Sequence, residues 1–244
     1  MERIAVTCLG SGAALGRDRM WSSLLLDGRI LLSLPPTVVP QLYRLGKDPT
    51  TIDHIFISHC HADHFFGLPF FLLLYHYLYE REAPLYIIGP GGIKEATARL
   101  CDLAWPELRK CGVAPRVPVL FVEIEEEGCF QAGDIAFQAV KLEHFGLEAY
   151  GYRFAYKGRE IVFTGDTGEC PQLHRLVDGA GLVVLEFTHP DDAEDAGHLN
   201  AATVSRLTER LCEQGATVLA THLGGEPQSI EGLIICHDGE TYLV

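Results

Sequence analysis

Ser58-His59-Cys60-His61-Ala62-Asp63-His64 follows the apolar run His54-Ile55-Phe56-Ile57 and precedes another that begins at Phe65. Three imidazoles and a carboxylate are packed into this stretch, between a strand-like run and a helix-like one. In extended chain, residues i and i+2 point the same way, so His59 and His61 can grip one ion while Cys60 points away. Asp63 and His64 fall where the chain turns into the helix and can face a second ion. Neutral imidazole and carboxylate are donors that zinc prefers. The bland alternative is a polar loop with chance histidines, and this spacing weighs against it.

One such cluster cannot complete two coordination shells, so further donors must come from elsewhere. Three candidates directly follow apolar runs: His144 in Glu143-His144-Phe145-Gly146, Asp166 in Phe163-Thr164-Gly165-Asp166-Thr167-Gly168, and His222 in Ala220-Thr221-His222-Leu223-Gly224. At each, a core-type pattern gives way to a polar side chain at a strand end.

Around these motifs the chain reads as alternating strands and helices. Strands are expected at 4–9, 23–26, 29–34, 54–57, 85–88, 119–124, 135–142, 151–156, 161–164, 182–186, 217–221 and 233–236. Helices are expected at 62–79, 93–103 and 200–214, the last with Val204, Leu207 and Leu211 on one face. Asp27-Gly28 and Lys157-Gly158 read as tight turns. This mixture indicates α/β layers. No linker or low-complexity segment interrupts it, so residues 1–244 are expected to form one domain.

Composition narrows the function. The 244 residues carry 33 acidic and 19 basic side chains, a formal charge of −14, with 48% hydrophobic and 21% charged residues. This is globular composition, but a poor prior for nucleic-acid binding, which draws on clustered Lys and Arg. No apolar run approaches the roughly 18 residues of a membrane span, since the stretch from Phe65 to Leu78 contains Pro69 and His76. The N-terminus has no signal-peptide pattern, and the eight cysteines form no C-x-x-C pair. The expectation is a cytoplasmic protein with reduced thiols and no zinc ribbon.

The order H-x-H-x-D-H, then His, G-D-T and T-H-L, from position 59 to 222, resembles the metallo-β-lactamase-fold hydrolases. The resemblance implies a four-layer αββα sandwich and two divalent ions, zinc first, with manganese or iron as alternatives. Carried over by motif, His59, His61 and His144 would hold metal one. Asp63, His64 and His222 would hold metal two, and Asp166 would bridge. Two ions so placed can share a hydroxide nucleophile.

Within that superfamily, Leu9-Gly10-Ser11-Gly12, Ile88-Gly89-Pro90-Gly91-Gly92 and Tyr150-Gly151-Tyr152-Arg153 are similar to the ribonuclease Z-like group. Leu185-Glu186-Phe187-Thr188 and His198-Leu199-Asn200 stand where that group has a His-Glu-Ala-Thr segment and a His-Ser-Thr motif. By that analogy Glu186 aligns His198, and His198 protonates or stabilises the departing alkoxide. Asp63, Glu186 and His198 are therefore the catalytic candidates. For His198 the competing reading is decoration of a helix N-terminus capped by Asn200.

The chain departs from the group at three places. Leu32-Ser33-Leu34-Pro35-Pro36 stands where an Asp and a Gly-Glu pair are usual. No long Gly/Pro-rich arm is visible, and the nearest basic residues are Arg109, Lys110 and Arg116. Asp191, Asp192, Glu194 and Asp195 crowd the loop before His198, and Glu123, Glu125, Glu126 and Glu127 add to the acidic shell. The first expectation is thus a dinuclear-zinc phosphodiesterase acting on a small anionic ester, with RNA disfavoured by charge. The alternative is ribonuclease Z-like processing of transfer-RNA 3′ ends, and relatives of that group imply a homodimer. A thioester or lactone hydrolase and a mononuclear-iron dioxygenase remain further readings. His61 and His64 weigh against a diiron oxidoreductase.

Other features lose to plainer readings. Gly10-Ser11-Gly12 is no dinucleotide fingerprint, because the third glycine would fall at Leu15. The aromatic series Phe65, Phe66, Phe70, Phe71, Tyr75, Tyr77 and Tyr79 reads chiefly as core packing. His54, His76, His174 and His237 read as structural, and His189 as an ambiguous neighbour of the acidic loop.

Overall fold

Apolar side chains on the strands sort by period two into separate clusters. In β2 (Ser23–Leu26) and β3 (Ile30–Leu32), Leu24, Leu26, Ile30 and Leu32 enter one cluster while Leu25 and Leu31 enter another. β4 (His54–Phe56) continues this, with Phe56 on the first side and Ile55 on the second. In β10 (Arg159–Phe163) and β11 (Leu182–Glu186), Ile161, Phe163, Leu182 and Val184 share the first cluster, while Val162, Val183 and Leu185 join a third. Both faces of these strands are therefore covered, which is why they read as unbroken apolar runs.

The structure, a computed structural model, describes residues 2–111, 114–191, 193 and 195–244. Asp192 and Glu194 of the acidic loop lie outside the described residues, as do the side chains of Arg109, Lys110 and Cys111. One sheet has seven strands in the order β14 (Thr241–Leu243), β1 (Ala5–Gly10), β2, β3, β4, β5 (Leu85–Pro90), β6 (Val119–Ile124). The other runs β13 (Leu233–Ile235), β12 (Thr217–Thr221), β11, β10, β9 (Ala149–Tyr156), β8 (Ile135–Leu142), β7 (Gly128–Ala132). Strands β3 to β6 pair in parallel, as do β10 to β13. The sheets face each other across a cluster centred on Phe56, Phe137, Tyr152 and Phe154.

Helices close the outer faces. Val38 and Leu42 of α1 (Val38–Arg44), Phe71 and Tyr75 of α3 (Leu68–Tyr77) and Ile93 of α4 (Ile93–Ala104) cover the first sheet. Leu173 and Leu176 of α6 (Pro171–Val177), with Val204, Leu207 and Leu211 of α7 (Ala201–Glu213), cover the second. A short α2 (Ala62–Phe65) and α5 (Pro106–Cys111) complete the set, and the layers are αββα as expected. No helix among the described residues is long and apolar enough to cross a membrane.

Several expectations need correction. The helix expected over 62–79 is two helices, α2 and α3. Gly67 interrupts it: its N–H donates to the Leu34 carbonyl at 2.8 Å, and a Cβ there would lie 2.4 Å from the Pro35 carbonyl oxygen. Pro69 then starts α3, where its missing N–H costs nothing. Strands β7 and β14 and helices α1, α5 and α6 were not anticipated, being short or half exposed. The aromatic series divides: Phe65, Phe71 and Tyr75 are buried, while Phe66, Phe70 and Tyr77 are exposed. The Asp27-Gly28 and Lys157-Gly158 turns have positive φ at both residues, as a two-residue hairpin requires.

Candidate metal centre

The parallel strands of both sheets end at one edge, and the polar residues that follow them converge there, as open α/β sheets favour. The His59 loop follows β4, Asp166 follows β10, Glu186 ends β11, and His222 follows β12. The His59 loop is held from the opposite sheet, since the Tyr152 hydroxyl donates to the Ile57 carbonyl at 2.8 Å and the Tyr150 N–H to that of Ser58 at 2.9 Å. The His144 and Asp166 loops are joined by a Gly168 N–H to Glu143 carbonyl bond of 2.7 Å. Gly165 packs so closely on Ser58 that a Cβ would lie 2.2 Å from the serine Cβ, so only glycine allows this approach.

The seven anticipated ligands come together in overlapping groups whose donor atoms lie within 4.8 Å of one another. His59, His61 and His144 form one group, and Asp63, His64 and His222 another. Asp166 Oδ2 stands between them, 3.2 Å from His64 Nε2, 3.1 Å from His222 Nε2 and 3.9 Å from His59 Nε2. Asp63 Oδ2 is 3.4 Å from His64 Nε2 and 3.3 Å from His222 Nε2.

The imidazoles are oriented by their other nitrogens. His64 Nδ1 meets Ser33 Oγ at 2.9 Å, His59 Nδ1 meets Ser58 Oγ at 3.0 Å, and His144 Nδ1 donates to the Gly197 carbonyl at 2.8 Å. Thr188 orients His222. As a carboxylate, Glu186 only accepts, so Thr188 Oγ1 donates to Glu186 Oε2 at 2.7 Å and accepts from His222 Nδ1 at 2.8 Å. This contact fixes His222 Nδ1 on Thr188 and leaves its Nε2 facing the two aspartates, 3.3 Å from Asp63 Oδ2. Such outer partners fix tautomer and ring angle at metal sites.

Two of the inward nitrogens, His59 Nε2 and His64 Nε2, are buried with no hydrogen-bond partner. Buried polar atoms are normally satisfied, so orphans aimed into a cluster of carboxylates and imidazoles fit divalent metal ions. Burial keeps His59, His61 and His144 below the ordinary histidine pKa, leaving them neutral and able to coordinate. Burial also opposes the charge on Asp166, but His222 and His64 outweigh it and hold that carboxyl well below the usual range. His64 is pushed up to about 10, because Asp166 and Asp63 overcome the opposing effect of burial.

Glu186 and His198 are in contact, with Nδ1 to Oε1 at 2.9 Å. Glu186 is buried and fully engaged, accepting also from the N–H groups of Thr167, Leu199 and Thr188. Asn200 does cap α7, accepting from the Thr203 N–H at 3.0 Å, yet the His198 ring is turned to the cluster, 4.9 Å from His144 and 5.4 Å from His222 between centroids. A cavity of about 350 Å³ opens here, lined by His61, Asp63, Asp166 and His198 and by Leu15 of a loop tied to the His222 loop. His189 also lines it and bonds Asp195 at 3.0 Å. Cys60 is exposed. His54 is buried and bonds the Ala132 carbonyl of the facing sheet at 2.8 Å.

Ser33, Ser58 and Thr188 carry no metal-site role in the sequence reading. The available clue was position: Ser33 and Thr188 follow strand ends as the ligands do. Among the described residues, three non-glycine residues at this edge have positive φ: Ser33 (63°), Phe145 (49°) and His222 (55°). Strained backbone of this kind collects at functional sites.

The chain belongs to the beta-lactamase superfamily domain family, whose model matches residues 26–223. Fold, donor set and family together define a metal-dependent hydrolase of the metallo-β-lactamase fold. Among relatives, a ribonuclease Z of Oceanobacillus iheyensis is 34% identical over 49% of this chain and 37% of its own length. A ribonuclease BN of an Enterobacter species is 25% identical over 93% of this chain and 92% of its own length. The matched stretch spans only about a third of the length of this and a further ribonuclease Z relative. Among solved structures, human tRNase Z, short form, superposes with a TM-score of 0.76 at 23% identity, covering 98% of each chain. A diphosphatase from the PhnP family gives 0.72 at 22%, covering 98% of this chain and 97% of that one. These two likenesses concern the fold.

Proposed function

We propose that this chain is a dinuclear-metal phosphodiesterase, zinc in first place, that cleaves RNA in the manner its ribonuclease Z relatives are named for. The observation that carries the reading is the Glu186–His198 pair, fixed at 2.9 Å beside the ligand cluster. In this reading His59, His61 and His144 would hold one ion and Asp63, His64 and His222 the other, with Asp166 between the two groups. When bound, the two ions supply charge neutralisation at the phosphoryl group and an activated water.

The protein's own residues do the rest. Asp63 faces the cavity and accepts a hydrogen bond from the incoming water. The Nδ1–H of His198 is committed to Glu186, so its Nε2 is the atom that delivers a proton to the departing alkoxide. Burial opposes that proton, yet Glu186 outweighs it and raises the pKa of His198 above its ordinary value, as a general acid near neutrality needs.

A small phosphodiester is the second reading, favoured by the formal charge of −14. Asp195 lies beside His198 on the cavity wall, and Arg116 is itself paired with Glu80 at 3.6 Å. The names of the relatives lean toward RNA and give the small ester no support. The zinc- or manganese-loaded protein should be offered a precursor transfer RNA and bis(p-nitrophenyl) phosphate in parallel. Cleavage of the RNA at its 3′ side supports the first reading, and cleavage of the small diester alone supports the second. Turnover of a lactone or thioester with neither diester cleaved sinks both.

A further inference from the structure

Phe145 is an unexpected residue at this site. Its backbone has φ 49°, a region a bulky side chain rarely adopts, and its ring is 57% exposed. Strain and exposure of a large apolar group are both unfavourable, and neither is offset by core burial. The ring is nevertheless fixed. Its centroid lies 4.9 Å from that of His144 and 5.5 Å from that of His198, tilted 54° and 75° to them. It also rests on Gly197, where a Cβ would come within 2.7 Å of three ring carbons. Gly197 is in turn held by its N–H to Asp195 Oδ1 at 2.7 Å and by its carbonyl to His144. An aromatic face is thus presented to solvent beside the residue that serves the leaving oxygen.

The surroundings fit the same use. A second cavity of about 360 Å³ adjoins His198, lined also by Glu169, Asp195, Asn200 and Thr203, while Phe145 stands outside its lining. It is within the size range of small-molecule sites. Among the described residues that line it there is no lysine or arginine to receive a further phosphate. Its carboxylates, Glu169 and Asp195, disfavour a further phosphate and can accept hydrogen bonds from sugar hydroxyls.

We propose that Phe145 is a specificity residue that stacks on the base of a nucleoside leaving group. This rests on the phosphodiesterase reading above and deepens it: the alcohol released next to His198 is a nucleoside, seated against the Phe145 ring. Every base has a π-face, so stacking selects for a base without selecting strongly among bases. The bond broken is phosphorus to the nucleoside oxygen. Water provides the new phosphorus–oxygen bond, the proton from His198 goes to the released oxygen, and the proton lost by the water passes to solvent, from which His198 is recharged.

The test compares two substrates that share the same nucleotide on the retained side. One is a dinucleoside monophosphate, which releases a nucleoside; the other is the matching nucleotide methyl ester, which releases methanol. Phe145→Leu should lower the ratio of their kcat/KM values about tenfold, about 1.4 kcal/mol by conversion, and Phe145→Trp should restore it. Binding of free adenosine to the zinc-loaded protein, measured by calorimetry, should weaken about tenfold in Phe145→Leu. An unchanged ratio or unchanged adenosine binding overturns the proposal. If no diester is hydrolysed while adenosine binding still depends on Phe145, the stacking site stands and the phosphodiesterase reading falls.

Discussion

Glu186 Oε1 receives His198 Nδ1 at 2.9 Å, although the two residues lie on opposite sides of the acidic loop and the glutamate is buried at the end of a central strand. A buried carboxylate is costly unless fully hydrogen-bonded. Glu186 meets that condition and spends one oxygen on the histidine. Removing the His198 side chain should therefore lower kcat on a phosphodiester by about 100- to 10,000-fold, the usual share of a general acid. Metal content by elemental analysis should stay at the wild-type level. Full turnover in His198→Ala would remove the pair from the mechanism.

Glu186→Gln is a subtler probe of the same contact. It keeps the shape and removes the charge that raises the His198 pKa against the opposing effect of burial. A group acting as an acid loses activity as pH rises through its pKa. Because Glu186 raises that pKa, its loss should move the alkaline limb of the kcat profile to lower pH. A pH–rate series on both proteins checks the direction, and an unmoved limb would show that His198 is not the titrating acid.

The ligands were legible because each interrupts an apolar run: His59 after Phe56 and Ile57, Asp166 after Phe163, His222 after Ala220. The strand core announces where burial should continue, and a titratable residue there needs a reason. The partners behind the ligands were not legible. Ser33, Ser58 and Thr188 are hydroxyls whose meaning depends on which ring nitrogen meets them, and for Ser33 and Thr188 that ring belongs to a residue 31 or 34 positions away. The same holds for the break at Gly67, set by carbonyls of Leu34 and Pro35, and for strand β14, whose pairing with β1 joins the two ends of the chain.

Ser33 allows strain and function to be separated. Its φ of 63° is unfavourable for serine, and its hydroxyl bonds His64 Nδ1. Ser33→Gly relieves the backbone while deleting the bond. Thermal stability of the metal-free protein should hold or rise, and zinc affinity should fall about 10- to 100-fold. Competition with a calibrated chelator measures the second quantity. Unaltered affinity would reduce Ser33 to a turn residue.

The join between the sheets rests on Phe56, fully buried and in ring contact with Phe137, Tyr152 and Phe154. Its truncation leaves a void that four surrounding strands cannot collapse to fill. Phe56→Ala should cost about 3–5 kcal/mol in a denaturant titration of the metal-free protein. A loss below 1 kcal/mol would mean that the facing sheets repack around the gap.

Metal uptake should carry a measurable proton signature. In the metal-free chain Asp166 and Asp63 hold the His64 pKa up to about 10 against the effect of burial, so the ring is charged at neutral pH. Coordination requires the neutral ring, and that proton must leave as zinc enters. His59, His61 and His144 lie below the ordinary histidine value and have no proton to give at pH 8. Zinc titration by calorimetry at pH 8, in two buffers of different ionisation enthalpy, should therefore register release of about one proton from the ligand set. Apparent affinity should climb about tenfold per pH unit between 7 and 9, as single-proton competition dictates. In His64→Asn both effects should shrink together. A wild-type enthalpy independent of buffer would mean that His64 is already neutral before the metal arrives.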